Sequence, residues 1–303
     1  MSYVKIIQQN VIKWTKERAT ELSNYFTREN ADIVMINATG VPETERIRIY
    51  NYNVIQKNVT EEEHAGVAIA VKKTIKYKPI DDNREDILGI QIETTRGPLN
   101  ILTHYSPPRR PYLPMGEIRR QMQRPCPVFL AGDLNAAHPD LGHARENAKG
   151  KQINELINRN IMTFLGPDFG TLVGRKGKPD IILVNRHNIF NITITQGELT
   201  TGDHIPIILK ISTRPILKDQ IKRKNFKRAN WDGFKDRVLL RLDGQTETNR
   251  LNGQETKQTI DETLGQWIND IKEAVDDYVP MTKVSYYRHA KTSDLLRLFR
   301  NDV

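Results

Sequence analysis

The sequence predicts an α/β fold, a four-layered α/β sandwich in which two packed mixed β-sheets are flanked by helices. Two observations lead to this fold class. Ten short runs rich in β-branched residues recur through the first 213 residues, and the stretches between them contain few long helices. Many short strands favour two sheets packed face to face. Amphipathic helices are then expected to cover the outer faces of the sheets.

The predicted elements follow one another along this first region. The strands are expected at Val4–Val11, Asp32–Asn37, Tyr52–Val59, Gly66–Lys72, Ile87–Glu93, Leu99–Tyr105, Pro127–Ala131, Asp180–Val184, Ile192–Thr195 and His204–Ile211. Apolar residues at helical spacing predict helices at Lys16–Glu29 and Lys151–Asn158. In the first helix, Ala19, Leu22 and Phe26 share one face.

The chain changes character after Thr213. Arg214–Arg228 carries seven Lys/Arg and one Asp, and Gly244–Thr259 has no apolar periodicity. These features predict a domain at residues 1–213 followed by a basic linker and helical connector at residues 214–303. Within the connector, helices are expected around Thr263–Val279 and Ser293–Arg300.

Composition narrows the class of protein. The 303 residues include 46 Lys+Arg and 37 Asp+Glu, a net charge of +9, which is compatible with a polyanionic partner. The single cysteine, Cys126, excludes a disulfide within the chain and fits a reducing compartment. The N-terminus lacks the pattern of a secretory leader, and no apolar run approaches the roughly 18 residues of a membrane span. We therefore expect an intracellular protein without a membrane partner.

The most informative motif is the run Val128–His138. Its apolar strand ends at Gly132 and then presents Asp133 and Asn135. Residues two apart point the same way along an extended chain, so a carboxylate and an amide are expected to converge. Such a pair can deprotonate and orient a water molecule beside an anionic group. An Asp/Asn turn after a strand is the alternative interpretation.

Five further residues place polar groups at strand ends. Asp203 and His204 open the last apolar run; the first can ligate a hard cation and the second can hydrogen-bond or protonate a phosphate oxygen, and a solvated turn is the alternative interpretation. Asp180 heads another strand, where it can orient an imidazole or stand exposed. Asn10 ends the first strand as a ligand or a turn residue. Tyr105 stands on a strand stopped by proline, where its hydroxyl can reach a phosphate or pack in an interface.

Together, these motifs resemble the endonuclease/exonuclease/phosphatase superfamily, which includes the apurinic/apyrimidinic endonucleases. The resemblance covers about residues 3–211. It is carried by Gln-Gln-Asn at residues 8–10, Tyr105 before a Pro-Pro pair, Gly-Asp-Leu-Asn-Ala-Ala-His, Pro-Asp-Ile-Ile-Leu and Gly-Asp-His. The short loops and the Asn-Ala-x-His extension are most similar to the endonuclease domain of non-LTR (LINE-type) retrotransposons.

The resemblance implies a role for each matched residue. Asn10 and Asp203 would lie at a Mg²⁺ site that also accepts Mn²⁺, and Asp133 with Asn135 would position the attacking water. Asp180 would orient His204 against the scissile phosphate, and Tyr105 would stabilise the developing charge. The basic or imidazole residues expected to contact double-stranded DNA are Arg109, Arg110, His138, Arg175 and Lys176. The implied reaction nicks target DNA and leaves a 3′-hydroxyl for target-primed reverse transcription by a linked reverse transcriptase, in the nucleus.

One position departs from the family pattern. Where such proteins carry a metal-binding glutamate after the second strand, this sequence has Ala38. A methyl group cannot bind Mg²⁺, so impaired cleavage is expected whether the alanine is engineered or natural. Two other functions remain open: a non-catalytic DNA-binding module, and an abasic-site repair nuclease. DNA binding without cleavage, even after glutamate is restored at position 38, would select the non-catalytic module.

Overall fold

A computed structural model describes residues 3–58, 66–80, 87–185, 190–217, 222–246 and 257–283 of the protein. These residues form two compact units, 3–217 and 222–283. The first unit contains β1 (Val4–Asn10), α1 (Lys16–Arg28), β2 (Ile33–Asn37), β3 (Tyr52–Lys57), β4 (Val67–Lys72), β5 (Tyr77–Ile80), β6 (Ile87–Thr94), β7 (Gly97–His104), α2 (Met115–Met122), β8 (Val128–Asp133), α3 (Ala148–Asn158), β9 (Thr163–Gly166), β10 (Asp180–Val184), β11 (Ile192–Gln196) and β12 (Ile207–Ile211). The second contains β13 (Lys222–Lys224), α4 (Trp231–Thr246), α5 (Lys257–Tyr278) and β14 (Met281–Lys283).

The first unit is built on two six-stranded mixed sheets. Sheet 1 has the order β11-β12-β1-β2-β4-β3, and sheet 2 has the order β5-β6-β7-β8-β10-β9. Each sheet has one parallel pair, β1 with β2 and β7 with β8, and antiparallel neighbours elsewhere. Parallel pairing brings the carboxyl ends of β1 and β2 to one edge of sheet 1. The carboxyl ends of β7 and β8 likewise share one edge of sheet 2.

Three apolar clusters hold the layers together. The central cluster joins the facing sides of the two sheets, with Ile6 and Met35 from sheet 1 and Ile90 and Phe129 from sheet 2 among its members. A second cluster packs α1 on the outer face of sheet 1, and a third packs α2 and α3 on the outer face of sheet 2. The order helix, sheet, sheet, helix confirms the predicted four-layered sandwich.

The helices begin where side chains cap them. Thr15 precedes α1, and its hydroxyl accepts a hydrogen bond from the backbone N–H of Arg18 at 3.3 Å. Asn147 precedes α3 and accepts from the N–H of Gly150 at 2.8 Å. Each cap satisfies one of the free N–H groups of a first helical turn.

Three elements of the first unit were not predicted from the sequence. β5 and β9 are four-residue edge strands whose side chains are mostly half-buried or exposed. β5 lacks an apolar run, whereas the apolar residues of β9 form a segment too short to stand out as a strand. The buried face of α2 includes Glu117 and Gln121, which conceals its helical pattern. The last strand also begins later than predicted, at Ile207. Pro206, which has no N–H for the ladder, precedes it.

The predicted linker differs from the structure at several points. Residues 214–217 lie along the first unit, where the N–H of Ile216 donates to Glu93 O at 2.7 Å and Lys76 N–H donates to Ile216 O at 3.1 Å. β13 pairs with β14, and the two ends of the Gly244–Thr259 stretch belong to α4 and α5. The helix predicted around Thr263–Val279 corresponds to α5. Residues 247–256 and the predicted helix Ser293–Arg300 lie outside the described residues.

Among the residues that the structure describes, no helix has both the length and the apolar character needed to cross a bilayer.

Candidate active site

Polar side chains from both sheets meet where four strands begin or end. In sheet 1, Asn10 ends β1 beside Asn37, which ends β2. In sheet 2, Asp133 ends β8 opposite Asp180, which begins β10. The amide nitrogen of Asn10 donates to Oδ2 of Asp133 at 2.7 Å, which joins the two sheets at this point. The sequence motifs therefore converge on one site.

Glycine allows β7 and β8 to approach closely next to this site. A Cβ atom on Gly132 would lie 2.0 Å from the carbonyl oxygen of His104. Any other residue would push the end of β8, and with it Asp133, away from β7. The close approach of the two strands therefore requires glycine at the position before Asp133.

Asp133 is a buried carboxylate, 3% exposed, with donors on both oxygens. Oδ2 accepts from Asn10, and Oδ1 accepts from Nδ2 of Asn135 at 2.6 Å. Burial and the negative charge of Asp180 raise the pKa of Asp133 to about 7, although His204, the side-chain amide of Asn10 and the backbone N–H of Asn135 oppose the rise. A carboxyl group with such a pKa can accept a proton near neutral pH.

His204 and Asp180 form a buried pair. Nδ1 of His204 donates to Oδ2 of Asp180 at 2.7 Å, and Asp180 is fully buried. Burial lowers the pKa of His204, but the hydrogen bond and charge of Asp180, together with the charges of Asp133 and Asp203, outweigh burial and raise it above the usual value of 6.5. The carboxylate thus fixes the orientation of the ring and favours its protonated form.

The other ring nitrogen faces a small gap. Nε2 of His204 lies 3.9 Å from Oδ2 of Asp133 and 3.9 Å from Oδ1 of Asp203. These distances exceed a hydrogen bond, and an oxygen atom of a ligand placed between the groups could contact more than one of them. The side chain of Asp203 is 62% exposed, so the gap is open to solvent on that side.

Two predicted residues are held next to Asp133 by backbone contacts. Asn135 also donates from Nδ2 to the carbonyl of Ser106 at 3.1 Å. Tyr105 immediately precedes Ser106, whose N–H donates to Asp133 O at 2.9 Å, and its ring packs against the central cluster. Both residues therefore lie in the same neighbourhood as Asp133.

Sequence reasoning missed the side chains that connect the two acids. Nε2 of Gln8 donates to Oδ1 of Asp180 at 2.9 Å and to Oδ1 of Asn37 at 3.1 Å. Oδ1 of Asn37 also accepts from the backbone N–H of Asp133 at 3.0 Å. Gln8 points to the same side of β1 as Asn10, so strand alternation was the signal that could have identified it.

The sequence of this chain matches a protein family over most of its length. Residues 13–241 correspond to the endonuclease/exonuclease/phosphatase family. The chain belongs to this family. The predicted resemblance is therefore confirmed.

Curated relatives of this family member are products of mobile elements. The chain is 23% identical over 286 residues to the RNA-directed DNA polymerase from mobile element jockey of Drosophila funebris, covering 89% of this chain and 29% of the relative. It is 23% identical over 266 residues to the probable RNA-directed DNA polymerase from transposon X-element of Drosophila melanogaster, covering 84% and 28%. The chain spans less than a third of the length of either relative.

Two solved structures share the fold. The endonuclease domain of TRAS1, a telomere-specific non-LTR retrotransposon, superposes with a TM-score of 0.57 at 18% identity, over 69% of this chain and 98% of that domain. The AP endonuclease LMAP from Leishmania major superposes with a TM-score of 0.55 at 15% identity, over 69% and 87%. The fold of this family member is thus related to those of retrotransposon and AP endonucleases.

The predicted DNA-contacting residues lie in different surroundings. Arg175 and Lys176 are exposed on a loop that is bonded to the site, because Val173 N–H donates to Asp203 O at 2.8 Å. Arg109 is exposed and Arg110 is half-buried, in the turn that follows Tyr105. His138 caps a short 3₁₀ helix through Nδ1, and its side chain is 15% exposed. DNA contact by these five residues stays a prediction.

The donor set fits a hard divalent cation, with few ligands. Within the described residues, Asp133, Asp180 and His204 bring possible ligand atoms within 4.8 Å of one another. Both oxygens of Asp133 and both oxygens of Asp180 already accept a hydrogen bond, so the exposed Asp203 is the carboxylate of this site with an open side for a cation. Burial and the charge of Asp180 disfavour the ionised form of Asp133 and so raise its pKa, and a nearby cation would favour that ionised form. Ala38, buried one residue beyond Asn37, adds no ligand.

Proposed function

We propose that this chain is the DNA-nicking endonuclease domain of a LINE-type element, impaired by Ala38. The observation that carries the proposal is the gap between Asp133 and His204, where Nε2 lies 3.9 Å from a carboxylate of raised pKa while Asp180 holds the other ring nitrogen. A base and an acid on either side of one small space suit hydrolysis of a phosphodiester.

The proposed reaction assigns one step to each side chain. Asp133 removes a proton from a water molecule that Asn135 orients, and the water oxygen attacks phosphorus. The bond from phosphorus to the 3′ oxygen breaks, and the leaving oxygen takes a proton from solvent water, which leaves a 5′-phosphate and a 3′-hydroxyl. His204, held by Asp180, donates a hydrogen bond to the phosphate, and Tyr105 stabilises the same charge.

The metal site of the proposal involves Asn10 and Asp203. Mg²⁺, or Mn²⁺ in its place, supplies Lewis-acid stabilisation of the phosphate when bound. Oδ1 of Asn10 accepts the N–H of Ile12 at 2.9 Å and keeps a second lone pair for a ligand. Mg²⁺ retains several waters and accepts a small protein ligand set. Without a carboxylate at position 38, binding should be weak and cleavage slow.

The biological setting follows from the relatives. Because they are named as RNA-directed DNA polymerases of mobile elements, we infer that a reverse transcriptase is linked to this domain in a longer polyprotein. The nicked 3′-hydroxyl would prime that polymerase on nuclear DNA. The net charge of +9 supports a duplex DNA substrate.

A second candidate function is repair of abasic sites, which the similarity in fold to an AP endonuclease supports. The two activities differ in substrate. Incubation with Mg²⁺ and supercoiled plasmid should yield open circles that a DNA polymerase can extend from the nick. Asp133→Asn should abolish this product. Cleavage confined to oligonucleotides with an abasic site would select the repair function.

A non-catalytic DNA-binding module is the remaining alternative. The discriminating variant is Ala38→Glu, measured beside the parent chain for DNA binding and for nicking. Tight binding with no nicking by either protein would contradict the endonuclease proposal and select the binding module.

A further inference from the structure

The second unit carries exposed aromatic rings within a basic surface. Phe226 is 53% exposed and Trp231 is 50% exposed, although large apolar side chains are usually buried. We call the following set the basic aromatic surface: Lys222, Arg223, Phe226, Lys227, Arg228 and Trp231. It comprises part of β13, the short 3₁₀ helix Phe226–Arg228 and the first residue of α4.

The aromatic rings of this surface are arranged in a stack. The ring centroids of Phe226 and Trp231 are 6.3 Å apart, with an angle of 17° between their planes. Phe234 contacts the edge of Trp231 at 5.6 Å and 83°. The nearly parallel pair therefore has fixed orientation and still presents about half of its area to solvent.

The stretch of sequence that carries the rings is basic. Lys222–Trp231 contains five Lys/Arg and no Asp or Glu, and the next acidic residue along the chain is Asp232. Lys224 is neutralised by Asp276 at 2.7 Å and donates to carbonyls at the end of α5. For the other four cations, the described part of the chain provides no ion pair. They remain available for an anionic ligand.

We propose that the basic aromatic surface binds single-stranded nucleic acid. Unpaired bases stack on Phe226 and Trp231, and the four cations contact the phosphates. Stacking on aromatic side chains requires the flat face of a base, which is hidden inside a duplex. Single-stranded DNA and RNA share this chemistry. The site is distinct from the proposed nicking site, which acts on duplex DNA.

The chain contains a matched control for an exposed tryptophan. Trp267 on α5 is 45% exposed, comparable to Trp231. One helical turn after Trp267 stands the acidic Asp270, and no basic run surrounds this tryptophan in the sequence. Loss of Trp267 should therefore leave nucleic-acid binding unchanged.

The test is fluorescence anisotropy on the full chain with labelled dT and rU dodecamers and a duplex of the same length. Phe226→Ala and Trp231→Ala should each weaken single-strand binding about tenfold or more, with little change for the duplex. Lys227→Gln with Arg228→Gln should lower the slope of log affinity against log salt by about 1.4. Trp231→Phe should retain most of the binding, and comparison of the dT and rU arms identifies the preferred strand.

Several outcomes would overturn the proposal. Equal weakening by Trp231→Ala and Trp267→Ala, or equal losses for single strand and duplex, would mean that the aromatic pair has no stacking role. Unchanged binding in every variant would assign the pair to packing alone. Circular dichroism checks the helices of each variant, and the Lys/Arg→Gln pair, which removes no packing, tests the surface even if Trp231→Ala unfolds. Nicking activity is measured separately and does not enter the result.

Discussion

Replacing Asp133 by asparagine should stabilise the fold at alkaline pH while removing catalysis. The folded protein holds the Asp133 proton up to about pH 7, because burial and Asp180 disfavour the carboxylate. An unfolded chain releases this proton near its ordinary pKa of 3.8. Since the folded state binds more protons between these values, stability falls as pH rises from about 4 to 7. An asparagine side chain does not titrate and avoids that loss.

The magnitude follows from the size of the shift. A rise from 3.8 to about 7 is roughly three pH units, which corresponds to about 4 kcal/mol of lost stability above pH 7 without a bound cation. The amide group of asparagine would face the donor of either Asn10 or Asn135, a mismatch that costs about 1–3 kcal/mol. Asp133→Asn should therefore be about 1–3 kcal/mol more stable than the parent at pH 8. At pH 4 it should be less stable by a similar amount.

Urea unfolding in EDTA at pH 4 and at pH 8 measures the difference in free energy of unfolding between Asp133→Asn and the parent. The chain has three tryptophans, and only Trp14 lies in the first unit. Trp231→Phe and Trp267→Phe, introduced in both proteins, make Trp14 the reporter of that unit. A stability difference with the same sign and size at both pH values would refute the assignment of an uncompensated charge to Asp133.

Other predictions concern the residues around this carboxylate. Asp180→Asn should lower the pKa of His204 relative to the parent, because burial still opposes the charged ring while the hydrogen-bonded charge of Asp180 is lost, and should slow nicking roughly 10²-fold or more; an NMR titration that finds the same His204 pKa in both proteins would contradict the pairing. Gly150→Ala should destabilise the fold by about 1–3 kcal/mol, because its Cβ would lie 1.8 Å from Ala137 O. Gly116→Ala is the control, since nothing lies within 4 Å of that Cβ, and a gain of about 0.5–1 kcal/mol is expected. Equal effects in thermal melts of the two glycine variants would contradict the close approach at Gly150.

Strand patterns carried most of the fold prediction. β-branched runs such as Val67–Lys72 are buried in sheets and show a continuous apolar signal, whereas the edge strand β5 has the sequence Tyr-Lys-Pro-Ile and shows none. The linker prediction relied on the charge of residues 214–228. The backbone hydrogen bonds of Ile216 are made with residues distant in sequence, so no local pattern could predict that this segment lies along the first unit.

The site was predicted where a motif ends a buried strand. Asp133 and Asn135 follow Gly132 directly, so their convergence could be inferred from alternation. Lys149 could not be found in this way. On α3 it resembles a solvated helix residue, yet it is 3% exposed and donates to Pro107 O at 2.7 Å, which supports the loop after Tyr105. Only the packing of α3 against that loop reveals it.

We propose that Asp133, Asp180 and His204 form a metal-assisted nicking site that lacks one ligand at position 38. The most direct measurement compares the Mg²⁺-dependent nicking rate of supercoiled plasmid by the parent, Ala38→Glu and Ala38→Gln. Glutamine matches the size of glutamate without its charge. A restored carboxylate ligand should lower the activation barrier by several kcal/mol through the bound metal, so Ala38→Glu should nick about a thousandfold faster than the parent. Ala38→Gln should stay near the parent rate, and DNA affinity should change little in either variant. Equal nicking rates for Ala38→Glu and Ala38→Gln would contradict the missing-ligand account.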